Sequence, residues 1–271
     1  MSSELPDPPQ LILQTQGLAK SFLGLQALQD FSIVIHANEI LGLIGPNGAG
    51  KTTCFNLLTG FLVPTAGQII FKGEDITGRR PAQIARLGLA RTFQNIRVFN
   101  SLSVLENVMA AAQLRTPFSL GELFLSTPGF RYKEAQVRSR ARELLHLLHL
   151  SEYSSLPAAS LSYAHQRRLE IARALATEPS LLLLDEPAAG MNPAESDSLH
   201  QLILDLRGRF QLTILLVEHD MRLVMNLCER IIVLNYGKVI AEGKPEIVRA
   251  DPQVIAAYLG ADRSAVEVSD A

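Results

Sequence analysis

Residues 45–52 read GPNGAGKT, a spacing that builds a cradle for phosphate. Glycines there permit a tight turn whose backbone N–H groups face an anion, and a helix opening at Lys51 adds its positive end. Gly45, Pro46, Asn47, Gly48, Ala49 and Gly50 are the expected cradle. Lys51 is expected to reach the terminal phosphates as a mobile point charge, Thr52 to offer its hydroxyl to Mg²⁺, and Thr53 to add a polar contact beside them.

A second set of chemical groups falls at strand ends. Asp185 follows the leucines 181–184, so a buried strand finishes in a carboxylate where such sheets collect ligands. It is expected to hold Mg²⁺, directly or through water, while Glu186 orients or deprotonates an attacking water. Gln94, after Thr92 and Phe93, is a candidate to sense the metal or that water. His219, after Val217 and Glu218, can hydrogen-bond a terminal phosphate or orient the Glu186 carboxylate, with a buried structural histidine as the alternative. Phosphoryl transfer to water needs an oriented water, Mg²⁺ and donors that neutralise the moving charge, but no covalent protein intermediate. Lys51, Thr52, Gln94, Asp185, Glu186 and His219 supply those functions. Phe22 can stack on adenine or fill a core. Residues 161–175, LSYAHQRRLEIARAL, form a Ser-led turn running into a long basic helix. A second phosphate-binding helix just before the metal-binding strand points beyond nucleotide binding to a particular kind of ATPase.

The elements that must position these groups are legible in outline. Residues 40–44 form a compact apolar strand and 51–58 a helix, so the cradle has the strand–loop–helix context it needs. Further strands are expected at 11–14, 31–35, 66–73, 90–94, 181–184 and 213–217, and a terminal hairpin at 231–234 and 238–241 around Asn235, Tyr236 and Gly237. Helices are expected at 81–87, 103–112, 131–150, 194–206 and 254–259. Continuous apolar strands separated by helices favour a sheet covered on both faces.

Composition bounds the remainder. The 271 residues are 47% hydrophobic, enough for a large core, and the formal charge of −2 lends no support to a global nucleic-acid footprint. Cys54 and Cys228 are too few for a disulfide scaffold and form no metal-ligand pair. His146 and His149 have no acidic or cysteine partners to complete a metal site, and the charges of 131–150 read as a solvated helix face. Residues 1–10 lack a basic start and an apolar run, which argues against a secretory signal. No apolar stretch approaches the roughly 20 residues that cross a bilayer, so any membrane role is expected to run through a partner.

Over about residues 11–260 the motifs and their order resemble the nucleotide-binding subunit of ATP-binding cassette transporters. In that likeness 45–53 is the Walker A loop, Gln94 the Q-loop, 161–165 the signature, 181–186 Walker B, 189–192 the D-loop and His219 the switch histidine. Phe22 falls where the family places its adenine-stacking aromatic. RTFQNIRVF at 91–99, RRLEIARALA at 167–176, DEPAAGMNP at 185–193 and AAYLG at 256–260 resemble more narrowly the branched-chain amino acid uptake ATPases, particularly the longer of their two subunits. Residues 116–135 look like that subunit's insert.

The resemblance implies an α/β, P-loop NTPase cassette with a mostly parallel core sheet, an antiparallel β part and a helical signature subdomain. One domain is expected at 11–260, with its core at 11–94 and 177–245 and the helical part at about 95–176, followed by a polar tail at 261–271. ATP and Mg²⁺ are the implied cofactors. Implied partners are a second ATPase subunit, most simply in a heterodimer, two membrane permease subunits and, indirectly, an extracytoplasmic solute-binding protein; no nucleic acid is expected. The implied place is peripheral, at the cytoplasmic side of the inner membrane. Ser162 and Ala164 would face nucleotide held by the partner's Walker A. Urea, amide or lipopolysaccharide transport, and a soluble nucleic-acid-associated cassette, are the alternatives.

The chain departs from the family pattern at three places. Ala164 replaces a common glycine, and His165 a common glutamine, which puts the opposite composite ATP site in question. A left-handed backbone at Ala164 would cost about 1–2 kcal/mol, whereas helical geometry would remove that cost. Asn192, replacing a common aspartate, is itself characteristic of the narrower group.

Overall fold

ILGLI, Ile40–Ile44, cannot bury only one face, because all five of its residues are apolar or glycine, and all five are buried. The computed structural model describes residues 10–116 and 128–258. Its strands are β1 (Leu11–Phe22), β2 (Leu25–Phe31), β3 (Val34–His36), β4 (Ile40–Ile44), β5 (Ala66–Phe71), β6 (Glu74–Asp75), β7 (Leu89–Arg91), β8 (Leu181–Asp185), β9 (Thr213–Val217), β10 (Arg230–Asn235) and β11 (Lys238–Gly243). The helices are α1 (Lys51–Leu58), α2 (Pro81–Leu87), α3 (Val104–Ala112), α4 (Pro128–Leu147), α5 (Tyr163–Ala176), α6 (Pro193–Phe210), α7 (Met221–Leu227) and α8 (Pro245–Ala250). Residues 252–258 form one more helical turn or two.

The main sheet runs β11-β10-β4-β9-β8-β7, parallel except for the β10–β11 hairpin. That hairpin turns on Tyr236 and Gly237, both at positive φ as a two-residue turn of this hand requires. Alternate residues of the central strands feed two cores. Ile40, Ile44, Leu182, Leu184, Ile214 and Leu216 pack with residues of α3, α4, α5 and α6. Leu41, Leu43, Leu181, Leu183, Leu215 and Val217 pack instead with Phe55, Leu57 and Leu58 of α1 and with Leu13, Phe31 and Phe71 of the second sheet. Each such side chain contributes roughly 1.5–3 kcal/mol of burial, so the short strands are held from both sides. The second sheet is antiparallel, β2-β1-β5-β6, with β3 also paired to β1. Together these make a mostly parallel core sheet, an antiparallel β part and a helical part, as the resemblance implied.

Several boundaries differ from the sequence pattern, each for a local reason. The single strand expected at 31–35 is divided between β2 and β3. Thr15 Oγ1 donates to the Phe31 carbonyl (2.9 Å) and accepts from Ile33 N–H (3.0 Å), bridging the break between β2 and β3, which pair with different stretches of β1. The strand expected at 90–94 stops at Arg91, because side chains of α5 take over the backbone bonds of residues 93 and 94. The helix expected at 131–150 starts earlier, at Pro128, a residue pre-set for a helix start, and ends at Leu147. His149 then adopts φ 57° while Leu150 N–H reaches back to the Leu145 carbonyl (2.7 Å), a left-handed helix stop. The short helices α7 and α8 escaped the pattern. Residues 117–127 of the expected insert, Leu259 and Gly260 of the AAYLG motif, and the tail at 261–271 lie outside the described residues.

Both cysteines sit in these cores, Cys54 on α1 and Cys228 just before β10. Burial pushes both thiols up, Cys228 to about 12, with Glu218 and Glu229 adding to the rise. Neither is expected to react with N-ethylmaleimide at pH 8 while the protein is folded, and both are expected to react in denaturant. Mass spectrometry of the native adducts checks this, and prompt labelling of either cysteine would contradict the packing.

Candidate active site

The cradle exists because two chain segments press on it. A Cβ at Gly45 would stand 2.1 Å from the Leu234 carbonyl oxygen, and one at Gly50, which has φ 109°, would stand 2.6 Å from that of Ala27. Only glycine fits at either place. Gly237 N–H donates to the Ala49 carbonyl (2.9 Å), tying the β10–β11 turn to the loop. Lys51, 7% exposed, folds back so that its Nζ donates to the carbonyls of Gly45 (2.6 Å) and Pro46 (3.0 Å). Burial lowers its pKa, against the opposing pull of Glu186 and then Asp185.

A cleft of about 250 Å³ opens over this loop, lined by Ala27, residues 47–53, Gln94, Glu186 and His219. Thus the structure brings together the cradle, Lys51, Thr52, Thr53 and three of the four side chains expected from strand ends. Glu186 is their meeting point. Its Oε2 accepts from Gln94 Nε2 (3.0 Å), and its Oε1 lies 2.8 Å from His219 Nε2. Its backbone is left-handed at φ 47°, a strain of about 1–2 kcal/mol, and is held by N–H donation to the Val217 carbonyl (2.8 Å). A carboxylate so gripped from two sides can orient a water over the cradle.

Asp185 is buried and does not line the cleft. Its Oδ2 is 2.7 Å from Arg91 Nη2, and both side chains are only 5% exposed. Arg91 also donates to Asn56 Oδ1 (2.7 Å) on α1 and lies against the rings of Phe55 and Phe93. Arg91 opens the RTFQNIRVF stretch, but with no acidic residue between Asp75 and Glu106 the local sequence carries no signal of a partner at Asp185. Glu218 was missed likewise. It accepts from Ala188 N–H (2.9 Å) and His219 N–H (3.2 Å), and burial raises its pKa.

Among the described residues no group of three His, Cys, Asp or Glu is clustered for a metal. Of the expected donors, Thr52 and Gln94 bring hard oxygens to the cleft lining, while Asp185 is buried against Arg91. That set fits Mg²⁺, which takes one or two protein oxygens and fills its remaining positions with phosphate and water.

The other expected residues stand elsewhere. Ser162 and Ala164 do not line the cleft. Ser162 caps α5, accepting from His165 N–H (3.3 Å), and its Oγ lies 3.1 Å from His165 Nδ1, whose ring packs on Tyr153. Ala164 lies in the first turn of α5 and has no positive φ, so its methyl carries no left-handed strain. Phe22 is exposed at the end of β1, with the Lys20 ammonium 5.2 Å from its ring centre, and is not a cleft wall. Asn192 caps α6 in a reciprocal pair with Glu195 (3.0 and 3.1 Å), a local use for the amide.

Residues 28–189 match the family model described as ABC transporter, and 238–264 match one described as Branched-chain amino acid ATP-binding cassette transporter. The chain is 46% identical over 251 residues to the high-affinity branched-chain amino acid transport ATP-binding protein LivG of Escherichia coli (strain K12), covering 93% of this chain and 98% of LivG. BraF of Pseudomonas aeruginosa, which carries the same description, is also 46% identical, over 92% of this chain and 98% of its own length. Among solved structures, the ADP conformation of MJ1267, an ATP-binding cassette of an ABC transporter, superposes with a TM-score of 0.80 at 32% identity, over 93% of this chain and 99% of that one.

Arg91 and Asp185 generate a stability test. Replacing Arg91 with Met leaves a buried carboxylate without its counter-charge and is expected to cost about 3–5 kcal/mol at neutral pH. Adding Asp185→Asn is expected to recover much of that loss. Urea denaturation of the single and double variants measures both, and an unchanged midpoint for Arg91→Met would refute the pairing.

Proposed function

This chain belongs to the ATP-binding cassette transporter family as an ATP-hydrolysing subunit, and from that premise we propose that it energises uptake of branched-chain or other neutral amino acids through a membrane permease. The observation that carries the solute class is the likeness to LivG along nearly the whole chain, joined by the C-terminal match at 238–264.

In this reading the cradle and Lys51 bind the phosphates of ATP, and Lys51 exchanges the carbonyls of Gly45 and Pro46 for phosphate oxygens. Thr52, Gln94 and Asp185 are the residues that would hold Mg²⁺, which when bound would supply charge neutralisation at the phosphates. Glu186 orients the attacking water and accepts its proton, while Gln94 and His219 fix the carboxylate. Phe22 supplies an exposed ring for adenine. Ser162 and Ala164, outside the cleft of their own chain, serve nucleotide on a second ATPase subunit, so the working unit is a dimer, in our reading a heterodimer with a sibling.

The proposed domain division is a core at 11–94 and 177–245 with a helical part at 95–176. Where they meet, a groove of about 460 Å³ is lined by Phe61, Ala85, Phe93, Arg97, Ala111 and Ala174 among others. Its apolar walls with a basic rim, next to Gln94, suit a segment of the permease. Among the described residues no helix is long and apolar enough to cross a membrane. The chain is therefore assigned a peripheral place on the cytoplasmic side of the inner membrane, with an extracytoplasmic solute-binding protein delivering the solute to two permease subunits.

Reconstitution of this subunit with its sibling, permeases and solute-binding protein in proteoliposomes tests the reading. Leucine or another neutral amino acid is expected to stimulate ATP hydrolysis and to accumulate in the vesicles. Glu186→Gln is expected to lower turnover by roughly 10²- to 10⁴-fold, and Lys51→Ala to weaken nucleotide binding. Stimulation by urea or lipopolysaccharide instead of amino acids would replace the solute class, and undiminished uptake by the double variant would remove the energising role.

A further inference from the structure

Beyond Arg91 the sheet releases the chain. Thr92 N–H makes the last bond to β8, reaching the Leu183 carbonyl (2.9 Å). The next backbone groups belong to α5. Phe93 N–H donates to Glu170 Oε1 (3.0 Å), Arg167 Nη1 donates to the Phe93 carbonyl (2.5 Å), and Arg167 Nη2 donates to the Gln94 carbonyl (2.8 Å). Arg167 Nη1 also donates to Glu170 Oε2 (2.8 Å), and Nη2 to Tyr163 Oη (3.2 Å) at the first residue of the helix. Nearly two turns beyond Arg167 along α5, Arg173 donates to the Arg97 carbonyl.

Arg167 is fully buried and Glu170 is 5% exposed. A buried ion pair adds little net stability over apolar residues of the same volume, so stability alone gives a weak account of this one. What the pair adds is geometry. The guanidinium is a rigid planar fork that spans two successive carbonyls, and the Glu170 carboxylate completes the grip by taking the Phe93 N–H just before them. Gln94 therefore stands on α5 rather than on the sheet, while its Nε2 reaches across to Glu186 Oε2. The start of α5, about one turn before Arg167, is capped by Ser162.

We propose that Arg167 and Glu170 are a positioning pair for Gln94, through which the orientation of α5, and hence of Ser162 at its start, sets the grip of Gln94 on the Glu186 carboxylate. The inference rests on the roles proposed above for Gln94, Glu186 and Ser162. If Ser162 attends the nucleotide of the second subunit, the pair links that composite site to this chain's own hydrolytic carboxylate. A displacement of α5 by a fraction of an ångström moves both carbonyls in the fork, and misplacement of a catalytic constellation by 1 Å can cost 10²-fold in rate.

The test uses the assembled transporter carrying Arg167→Lys, Glu170→Gln or Gln94→Ala, and the double variants that combine each of the first two with the third. A lysine is a single point donor and cannot hold both carbonyls, whereas Gln at 170 retains an acceptor for Phe93 N–H. Arg167→Lys is expected to lower kcat by roughly 10- to 100-fold with little change in KM for ATP, since the cradle is untouched, and Glu170→Gln by less. In the Gln94→Ala background both substitutions are expected to add less than about twofold, because they act through the side chain already removed. Thermal unfolding identifies any variant that fails to fold; if Arg167→Lys does, Glu170→Gln carries the same cycle. Losses that multiply with that of Gln94→Ala, or a folded Arg167→Lys with wild-type kcat, would overturn the pairing. If Gln94→Ala itself leaves hydrolysis unchanged, the role assigned to Gln94 fails, which is a separate outcome.

Discussion

The register of β8 against β9 is the constraint on which the site depends. Asp185 lies opposite Val217, and Glu186 N–H continues the pairing by donating to the Val217 carbonyl. One step past that bond, the chain on one side is Glu186 and on the other Glu218 and His219. A slip by one residue would exchange the two cores, carrying Leu182 and Leu184 to the face now filled by Leu181 and Leu183. Both faces are packed, so the slip would repack both cores at once and take Asp185 out of register with Val217. The 2.8 Å contact between Glu186 and His219 is thus maintained by leucines that never touch it.

Buried ion pairs complete what the register begins. Arg91 joins α1, β7 and Asp185, and Arg167 with Glu170 joins α5 to residues 93 and 94. Arg167 takes over backbone carbonyls where the sheet ends and the ligand cleft starts, whereas Arg91 joins side chains only. The arrangement occupies the terminal guanidinium nitrogens of both arginines, leaving Arg91 Nε and Arg167 Nε without a partner among the described residues, while Gln94, Glu186 and His219 line the cleft. Left-handed Glu186 fits the same logic. Its strained backbone persists because the strand, the Val217 bond and the two side-chain contacts overdetermine it.

Departures from the family pattern are absorbed locally. Ala164 occupies a helical turn where an alanine costs nothing, His165 packs on Tyr153 and meets Ser162, and Asn192 caps α6. The signature helix consequently begins with its Ser162 hydroxyl tied to a titratable ring, whose pKa is lowered by burial and by Arg168 against the pull of Glu195.

The residues of the cradle, the central strands, α1 and the place of the hairpin turn were determined by the sequence itself, because each depends on neighbours within a few positions: glycine freedom, an unbroken apolar run, a helix start. The strand-end carboxylates and His219 were legible for the same reason, since a polar residue ending an apolar run must lie at an edge of the sheet. Tertiary structure alone decided the partners of Asp185, the early end of β7, the division of β2 from β3 by Thr15, and the capture of Gln94 by Arg167 and Glu170. Those contacts join residues 16 to 94 positions apart. No local periodicity records them, because a buried arginine and a solvated one look alike until the fold sets a carbonyl or a carboxylate beside it.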